Sequence, residues 1–384
     1  MKMELTTELL NQMKEVERGQ RLGTYYRLAD VLTTMICGSL CKIENIGHIY
    51  KWSQAEPTRK FLKEQFGIVK LPCRAQFYNI IASVNPDNFG QAFIRWVQYA
   101  IETVEGKTIA GDGKKVRSAE KMTGNPLNIV SAIISENNLV VGSIECEDKE
   151  SEITAFRELI EMIDVAGAMV VADALHCQKK TAQTVVENGG DYLFVVKDNH
   201  ETLKDDIETY FQNPPKELEK HITTEKNGGR IETRTAFVEH EIDWVYGKDE
   251  WAKLACIGAI HREFEKNGKK TSEWHYYISS QPLTAENLLK HARLEWAVES
   301  MHWMLDVHWH EDKTRARDIN VQKTLNIMRK IALNLAREYK AKVKPKSSIS
   351  GILLDNLFDL RNLSALFDFF FALFPHNVTT LLIS

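Results

Sequence analysis

Two aspartates close apolar runs in this chain: Asp112 ends Lys107-Thr-Ile-Ala-Gly-Asp112, and Asp173 ends Met169-Val-Val-Ala-Asp173. If those runs are adjacent parallel strands, their C-terminal ends bring both carboxylates to the edge where open α/β sheets place ligands. Like charges held that close repel. A divalent cation that favours hard oxygen donors, Mg²⁺ or Mn²⁺, is the natural neutraliser. Two such ions roughly 3.5–4 Å apart stabilise the attacking and leaving oxygens of phosphoryl transfer. That chemistry needs a third acid, and the stretch Leu288–Val307, read as one amphipathic helix, offers Glu295, Glu299 and Asp306. Glu299 lies three residues after Trp296 and four before Trp303, so the three share a face. The indoles are expected to press that face onto the sheet with the Glu299 carboxylate pointing in.

The elements that must position these acids are legible as changes of texture. Residues 1–105 carry helical periodicity, for example Val31, Leu32, Met35, Ile36 and Leu40 on one face, and Phe89, Phe93, Trp96 and Val97 after a Pro86-Asp87-Asn88 start. From 106 to 200 come β-type runs at Thr108–Asp112, Leu127–Ile134, Leu139–Ile144, Ala168–Asp173 and Tyr192–Lys197. Helices Glu152–Asp164 and Gln178–Asn188 separate the last three, each stopped by glycine. Three strands, helix, strand, helix, strand describes an α/β mixed sheet with flanking helices, the strand order of a ribonuclease H-like domain. Residues 201–280 read as an inserted β subdomain opened by the helix Thr202–Phe211, with runs at Arg230–Glu241 and Leu254–Phe264 and a return through Asn267-Gly268 to Glu273–Ser279. Residues 281–342 read as helical and complete the core. The stretch Lys344-Pro-Lys-Ser-Ser348 leads to an apolar tail within 343–384.

With 384 residues, 43% of them hydrophobic and 27% charged, the chain is no disordered polyelectrolyte and has ample material for a core. No run reaches the ~18 apolar residues of a membrane helix, and Met1–Arg21 lacks the apolar centre of an export signal, so no membrane association and a cytoplasmic location are expected. Six scattered cysteines without a Cys-x-x-Cys pair are expected as reduced, packed thiols. The net charge is −4, yet Asp312–Lys346 holds eleven Lys and Arg against three acids, a net +8 that leaves −12 elsewhere. Lys and Arg supply most of the affinity for a nucleic-acid backbone. Lys313, Arg315 and Arg317, directly after the Glu-bearing helix, are therefore candidate DNA contacts, as are Arg293 and His302 flanking Glu299, and Lys114 and Lys197 near the strand ends. Asn326, Arg329 and Lys330, interleaved with Leu325, Ile331 and Leu333, are expected to form a packing helix first. No base-reading motif stands out.

Several ordered blocks resemble one family. They include Ile109-Ala-Gly-Asp112-Gly-Lys114, Glu150-Ser-Glu152-Ile153, Asp173-Ala-Leu-His-Cys177-Gln178, Gly189-Gly-Asp-Tyr-Leu-Phe194-Val-Val-Lys197, and His302-Trp-Met-Leu-Asp306-Val with Glu311-Asp312. The family is the DDE transposases of bacterial insertion sequences, in particular the H-repeat-associated, Rhs-linked group, and the resemblance runs from about residue 20 to about 340. It implies a ribonuclease H-like core whose Asp112, Asp173 and Glu299 form a metal-binding catalytic triad for Mg²⁺, with Mn²⁺ as substitute. In the implied chemistry water attacks a phosphodiester at the element end, and the released 3′-hydroxyl attacks target DNA. Implied partners are the terminal inverted repeats, target DNA and a second copy of the chain, at the bacterial nucleoid. The helical N-terminal unit would bind element ends or dimerise. Glu295 departs from the family, standing where a basic residue or His is usual, and the Leu353–Ser384 tail has no counterpart there. The same chemistry also allows a metal-dependent nuclease without strand transfer, and the two departures favour a decayed or domesticated DNA-binding protein as a further alternative.

Overall fold

The computed structural model describes Gln12, residues 26–101 and residues 103–372. The helical pattern expected at Met1–Arg21 and the end of the apolar tail fall almost wholly outside the described residues. From residue 26 the described chain runs through α1 (Leu28–Leu40), α2 (Ile46–Ser53), α3 (Glu56–Phe66), α4 (Arg74–Ala82) and α5 (Pro86–Ala100). Asn45 caps α2 and Asn85 caps α5, where Pro86 supplies a first-turn residue that needs no N–H partner.

The core follows as β1 (Thr108–Lys115), α6 (Arg117–Thr123), β2 (Asn128–Ile134), β3 (Leu139–Cys146), α7 (Lys149–Met162), β4 (Met169–Ala172), α8 (Lys179–Glu187) and β5 (Asp191–Val196). After α9 (Glu201–Gln212) come β6 (Glu219–Asn227), β7 (Arg230–Glu239), β8 (Cys256–Lys266) and β9 (Lys269–Ser279). The chain then enters α10 (Ala285–Leu294), α11 (Ala297–Trp309), α12 (Ile319–Lys342), α13 (Ile349–Phe358) and α14 (Leu360–Ala372). Among the described residues nine strands join one sheet in the order β3-β2-β1-β4-β5-β9-β8-β7-β6. β1 is antiparallel to β2 and parallel to β4, β4 is parallel to β5, and β9 returns antiparallel to β5. The first five strands are thus a ribonuclease H-like sheet, and the inserted strands lengthen that sheet from its β5 edge.

Two devices lock the site-bearing strand β1. Its alternation sends Gly111 and Gly113 to one face and Asp112 and Lys114 to the other. A Cβ on Gly111 would meet the Phe156 ring at 2.1 Å, and one on Gly113 would meet the Glu152 carboxyl at 2.2 Å. Helix α7 therefore lies almost on the backbone of β1, which only glycine permits. A capping box fixes its start: Asp148 Oδ1 accepts from Ser151 N and Ser151 Oγ accepts from Asp148 N, both at 2.8 Å.

On the opposite face α12 carries a polar ridge, Gln322, Asn326, Lys330 and Asn334, at four-residue steps in an otherwise apolar interior. Each member is satisfied. Gln322 donates to Ala316 O, Asn326 to Glu311 Oε1, and Lys330 to Ser131 Oγ. The Asn334 amide accepts from Val140 N at 2.9 Å and donates to Val140 O at 2.8 Å, occupying edge strand β3 as another strand would. The apolar tail packs too, with Phe367 edge-on to Phe66 at 5.0 Å. Among the described residues no helix is long and apolar enough to cross a membrane, and the cysteines are free thiols, all buried except Cys73.

Candidate active site

In the parallel β1–β4 register Gly111 pairs with Ala172, so Asp112 and Asp173 follow abreast at the strand ends. Neighbouring strands lie about 4.8 Å apart, which sets the scale of their separation. The strain of that placement is visible in Asp112, whose carboxyl pKa is pushed up to about 6, first by burial and then by the charge of Asp173. Asp173 Oδ1 accepts from Leu175 N at 3.0 Å, the turn that holds it at the strand end.

The helix expected as Leu288–Val307 is two helices, α10 and α11, broken at Glu295 and Trp296. The indoles do not press it onto the sheet: Trp296 and Trp303 are 58% and 57% exposed. Val298, Met301, Leu305 and Trp309 anchor α11 instead, and the Trp309 Nε1–H donates to Ser39 O of α1 at 3.0 Å. Bulk alone points to the two tryptophans as the buried face, whereas a row of smaller apolar residues on another side of the helix fills the core.

The face toward the strand ends is Glu295, Glu299, His302 and Asp306, recurring at three- and four-residue steps. His302 Nδ1 stands 3.7 Å from Asp112 Oδ2, and Asp306 Oδ2 lies 2.9 Å from Lys114 Nζ. At the other end Glu295 feels Asp173 most strongly among the surrounding charges, with Lys197 opposing. The His302 end of α11 thus lies beside Asp112 of β1, Glu295 in the break before α11 lies near Asp173, and Glu299 comes between these two positions in sequence. The Glu299 side chain is exposed. Among the described residues no three His, Cys, Asp or Glu side chains are gathered tightly enough to chelate one ion. Asp112 and Asp173 stand together at the strand ends, and Glu299 belongs to the separate helix α11.

Glu295 is the intruder in this cleft. Burial first, and then Asp173, push its carboxyl pKa up to about 7. A carboxyl raised above its ordinary value of 4.5 binds its proton more tightly in the folded chain. That contribution to stability is full below about pH 4.5 and is lost as pH rises through about 7. In chelator-containing buffer the wild-type melting midpoint is expected to fall across this window, and that of Glu295→Gln to fall distinctly less. Parallel midpoint-versus-pH curves for the two proteins would contradict this reading.

The candidate DNA contacts fare unequally. Lys197 is exposed at the end of β5. Lys114 is tied to Asp306 and Glu311, both at 2.9 Å, and so serves the interior before any phosphate. Arg293 is engaged by Glu225 of the insertion at 2.5 Å. His302 is largely buried and its pKa is pushed down to about 3, mainly by burial and then by Lys114, so the ring beside Asp112 is neutral. Lys313, Arg315 and Arg317 are exposed after α11. The +8 segment is not one basic surface, because Arg329, Lys330 and Arg337 are 4%, 1% and 8% exposed inside α12, and Lys323 is paired with Glu145.

Two buried groups beside the acids escape a reading of individual residues. Glu152 Oε1 lies 3.3 Å from His176 Nε2, with the His176 ring tilted 45° against Phe156 at 4.4 Å. Glu311, 1% exposed, accepts from Lys114 and Asn326. Its carboxyl pKa is held below the ordinary value although burial, the largest influence, opposes this; Lys114, Arg329 and Lys330 together outweigh it. The one available signal is position, with His176 three residues after Asp173 and Glu311 just past the Glu-bearing helix.

The model of the family described as the transposase DDE domain matches residues 109–335, and a model for a segment associated with it matches residues 8–97. The H repeat-associated putative transposase YhhI of Escherichia coli K12 is 32% identical, over 81% of this chain and 85% of that protein. The putative protein YbfL of the same strain is 33% identical over 72% and 76%, and the putative transposase YncI of E. coli O157:H7 is 30% identical over 82% and 83%. A cryo-EM structure of the piggyBac transposase synaptic complex with hairpin DNA aligns with a TM-score of 0.45 at 10% identity, covering 98% of this chain and 80% of that one. With 109–335 matched as a unit and both aspartates inside it, this chain belongs to the family of transposases with a DDE catalytic domain.

Proposed function

We propose that the chain cuts phosphodiester bonds at the ends of a DNA element and joins the freed 3′-hydroxyl to target DNA, with Asp112, Asp173 and Glu299 as the catalytic carboxylates. The observation that carries this reading is the pair Asp112 and Asp173, held abreast at the ends of parallel strands against their own repulsion. An all-carboxylate donor set facing an open cleft suits Mg²⁺, with Mn²⁺ as substitute. Bound there, such ions would supply neutralisation of the acids and charge stabilisation at the reacting phosphate. The protein's own part is positional. The two glycines of β1 let α7 brace the strand, His302 sits neutral against Asp112 without adding charge, and α11 would bring Glu299 to the pair. Pairing two element ends calls for two subunits, and a homodimer at the nucleoid on terminal inverted repeats is the assembly we infer.

Glu295 supports a second reading, a chain that binds DNA without completing the reaction, since its carboxyl competes for the space beside Asp173. Incubating the full chain with a supercoiled plasmid carrying its gene and natural flanks, with Mg²⁺, Mn²⁺ or EDTA, separates the cases. Metal-dependent cuts mapped at repeated flanking sequences, followed by joined products, are the expected result. Cuts without joining leave a nuclease, and retention on the flanks without cutting leaves the DNA-binding protein.

A further inference from the structure

Where the C-terminal end of α11 meets the N-terminal helices, an open cavity of about 700 Å³ is bounded by the α1–α2 turn, the start of α4 and residues 310–316. Lys42, Arg74, Lys313 and Arg315 line it against the single carboxylate of Glu44, with Arg329, whose charge Glu311 already offsets, beneath them. Glu44 is already engaged by His310. Among the described residues no carboxylate holds Arg74, Lys313 or Arg315, and all three are exposed. Arg329 forms the floor, 4% exposed and fixed by a 2.6 Å bond from its guanidinium to Thr314 Oγ1. The first turn of α2, at Ile46 and Gly47, adds the positive end of a helix to the same wall.

A chain that is net −4 gathers cations in one hollow only against their mutual repulsion, so the arrangement fits an anionic ligand. We infer that this cavity grips the phosphate backbone of duplex DNA as a second hold, apart from the carboxylate cleft. The inference rests on the transposase reading and places one contact of that DNA. The volume is within the ~300–1,000 Å³ of ligand clefts, more than one phosphate needs. The two sites share a rigid ruler: from Glu299 to the helix end at Trp309 is ten residues, about 15 Å at 1.5 Å per residue. At about 3.4 Å per nucleotide along one strand, the grip falls on the order of five nucleotides from the cut. It also gives the helical N-terminal unit a task, because Lys42 and Arg74 come from it while Lys313 and Arg315 come from the catalytic half.

The test is fluorescence anisotropy of the full chain on a labelled duplex of its natural flank across a salt series, for wild type, Arg74→Gln, Lys313→Gln and Arg315→Gln. Each variant is expected to bind more weakly, with the slope of log K against log salt reduced by about 0.9. Ethylation interference should mark phosphates about five nucleotides from the mapped cut. All three side chains are exposed, so unchanged melting curves serve as the check on folding. Wild-type binding and cutting with unchanged slopes in all three variants would overturn the cavity as a DNA grip and leave the functional reading intact. Weakening only by competition with free inorganic phosphate, with no interference pattern on DNA, would assign the cavity to a small anion and overturn it as well. A wild-type chain that neither binds nor cuts its flanks overturns the functional reading and this inference with it.

Discussion

Asp173→Asn is expected to retain flank binding and to cut at least about a thousandfold more slowly than wild type, in Mg²⁺ and in Mn²⁺ alike. The amide is nearly the shape of the carboxylate and can still accept from Leu175 N, so the turn after β4 survives. What is lost is one of two adjacent negative donors. A factor of a thousand is about 4 kcal/mol of barrier, within the several kcal/mol that metal-assisted charge stabilisation supplies. The substitution also relieves Asp112, because Asp173 is the largest charge raising it after burial. The variant is therefore expected to be at least as stable as wild type in chelator. Lost cutting with raised or equal stability separates a catalytic role from a structural one. Cutting at the wild-type rate would remove Asp173 from the chemistry.

The ribonuclease H-like order is legible because its signals are local. All five core strands contain short apolar runs bounded by turn residues, and the parallel ones, β4 and β5, are buried nearly throughout as parallel strands covered on both faces must be. Strand β6, Glu219–Asn227, is not legible: Glu-Lys-His-Ile-Thr-Thr-Glu-Lys-Asn has no apolar face. It lies at the far edge of the sheet with one neighbour, where charged residues discourage pairing with other chains. The break between α10 and α11 is hidden as well, since no glycine or proline marks Glu295-Trp296 and the apolar spacing continues through it.

At the site, Asp112 and Asp173 are readable from their strand ends, because parallel register alone makes them neighbours. The orientation of α11 is not, since it depends on which side of the helix the core fills. Val298, Met301, Leu305 and Trp309 win that contest over Trp296 and Trp303, which leaves Glu299 off the buried face for a different reason than bulk suggests. Charge totals mislead most. The basic excess of Asp312–Lys346 looks like a DNA-facing surface, yet Lys330 and Arg329 neutralise Glu311 inside the protein. A sum of charges carries no information about which of them are buried.

That buried cluster carries the largest expected effect on stability. In Glu311→Ala, Lys114 keeps Asp306, but Asn326 loses its acceptor, and Arg329 and Lys330 lose a buried counter-charge. Breaking one partner of a buried ionic group costs about 3–5 kcal/mol, a large share of the ~5–15 kcal/mol that holds a domain folded. Urea unfolding followed by tryptophan fluorescence should show this in the transition that includes α12. The sign with pH is specific. Burial pushes the Lys330 pKa down to about 7 from 10.5, so the unfolded chain binds more protons between those values, and stability rises with pH there. Without Glu311 the Lys330 penalty is larger, so the variant's deficit should be deepest below about pH 7 and shrink toward pH 10. The double variant Glu311→Ala/Lys330→Met should recover much of the loss, because an apolar side chain of similar length replaces a buried charge without a partner. A single variant within about 0.5 kcal/mol of wild type would mean that Lys114, Asn326 and Lys330 do not depend on Glu311. A double variant no better than the single would mean that the cost lies in the cavity left by the carboxyl, not in the stranded charge.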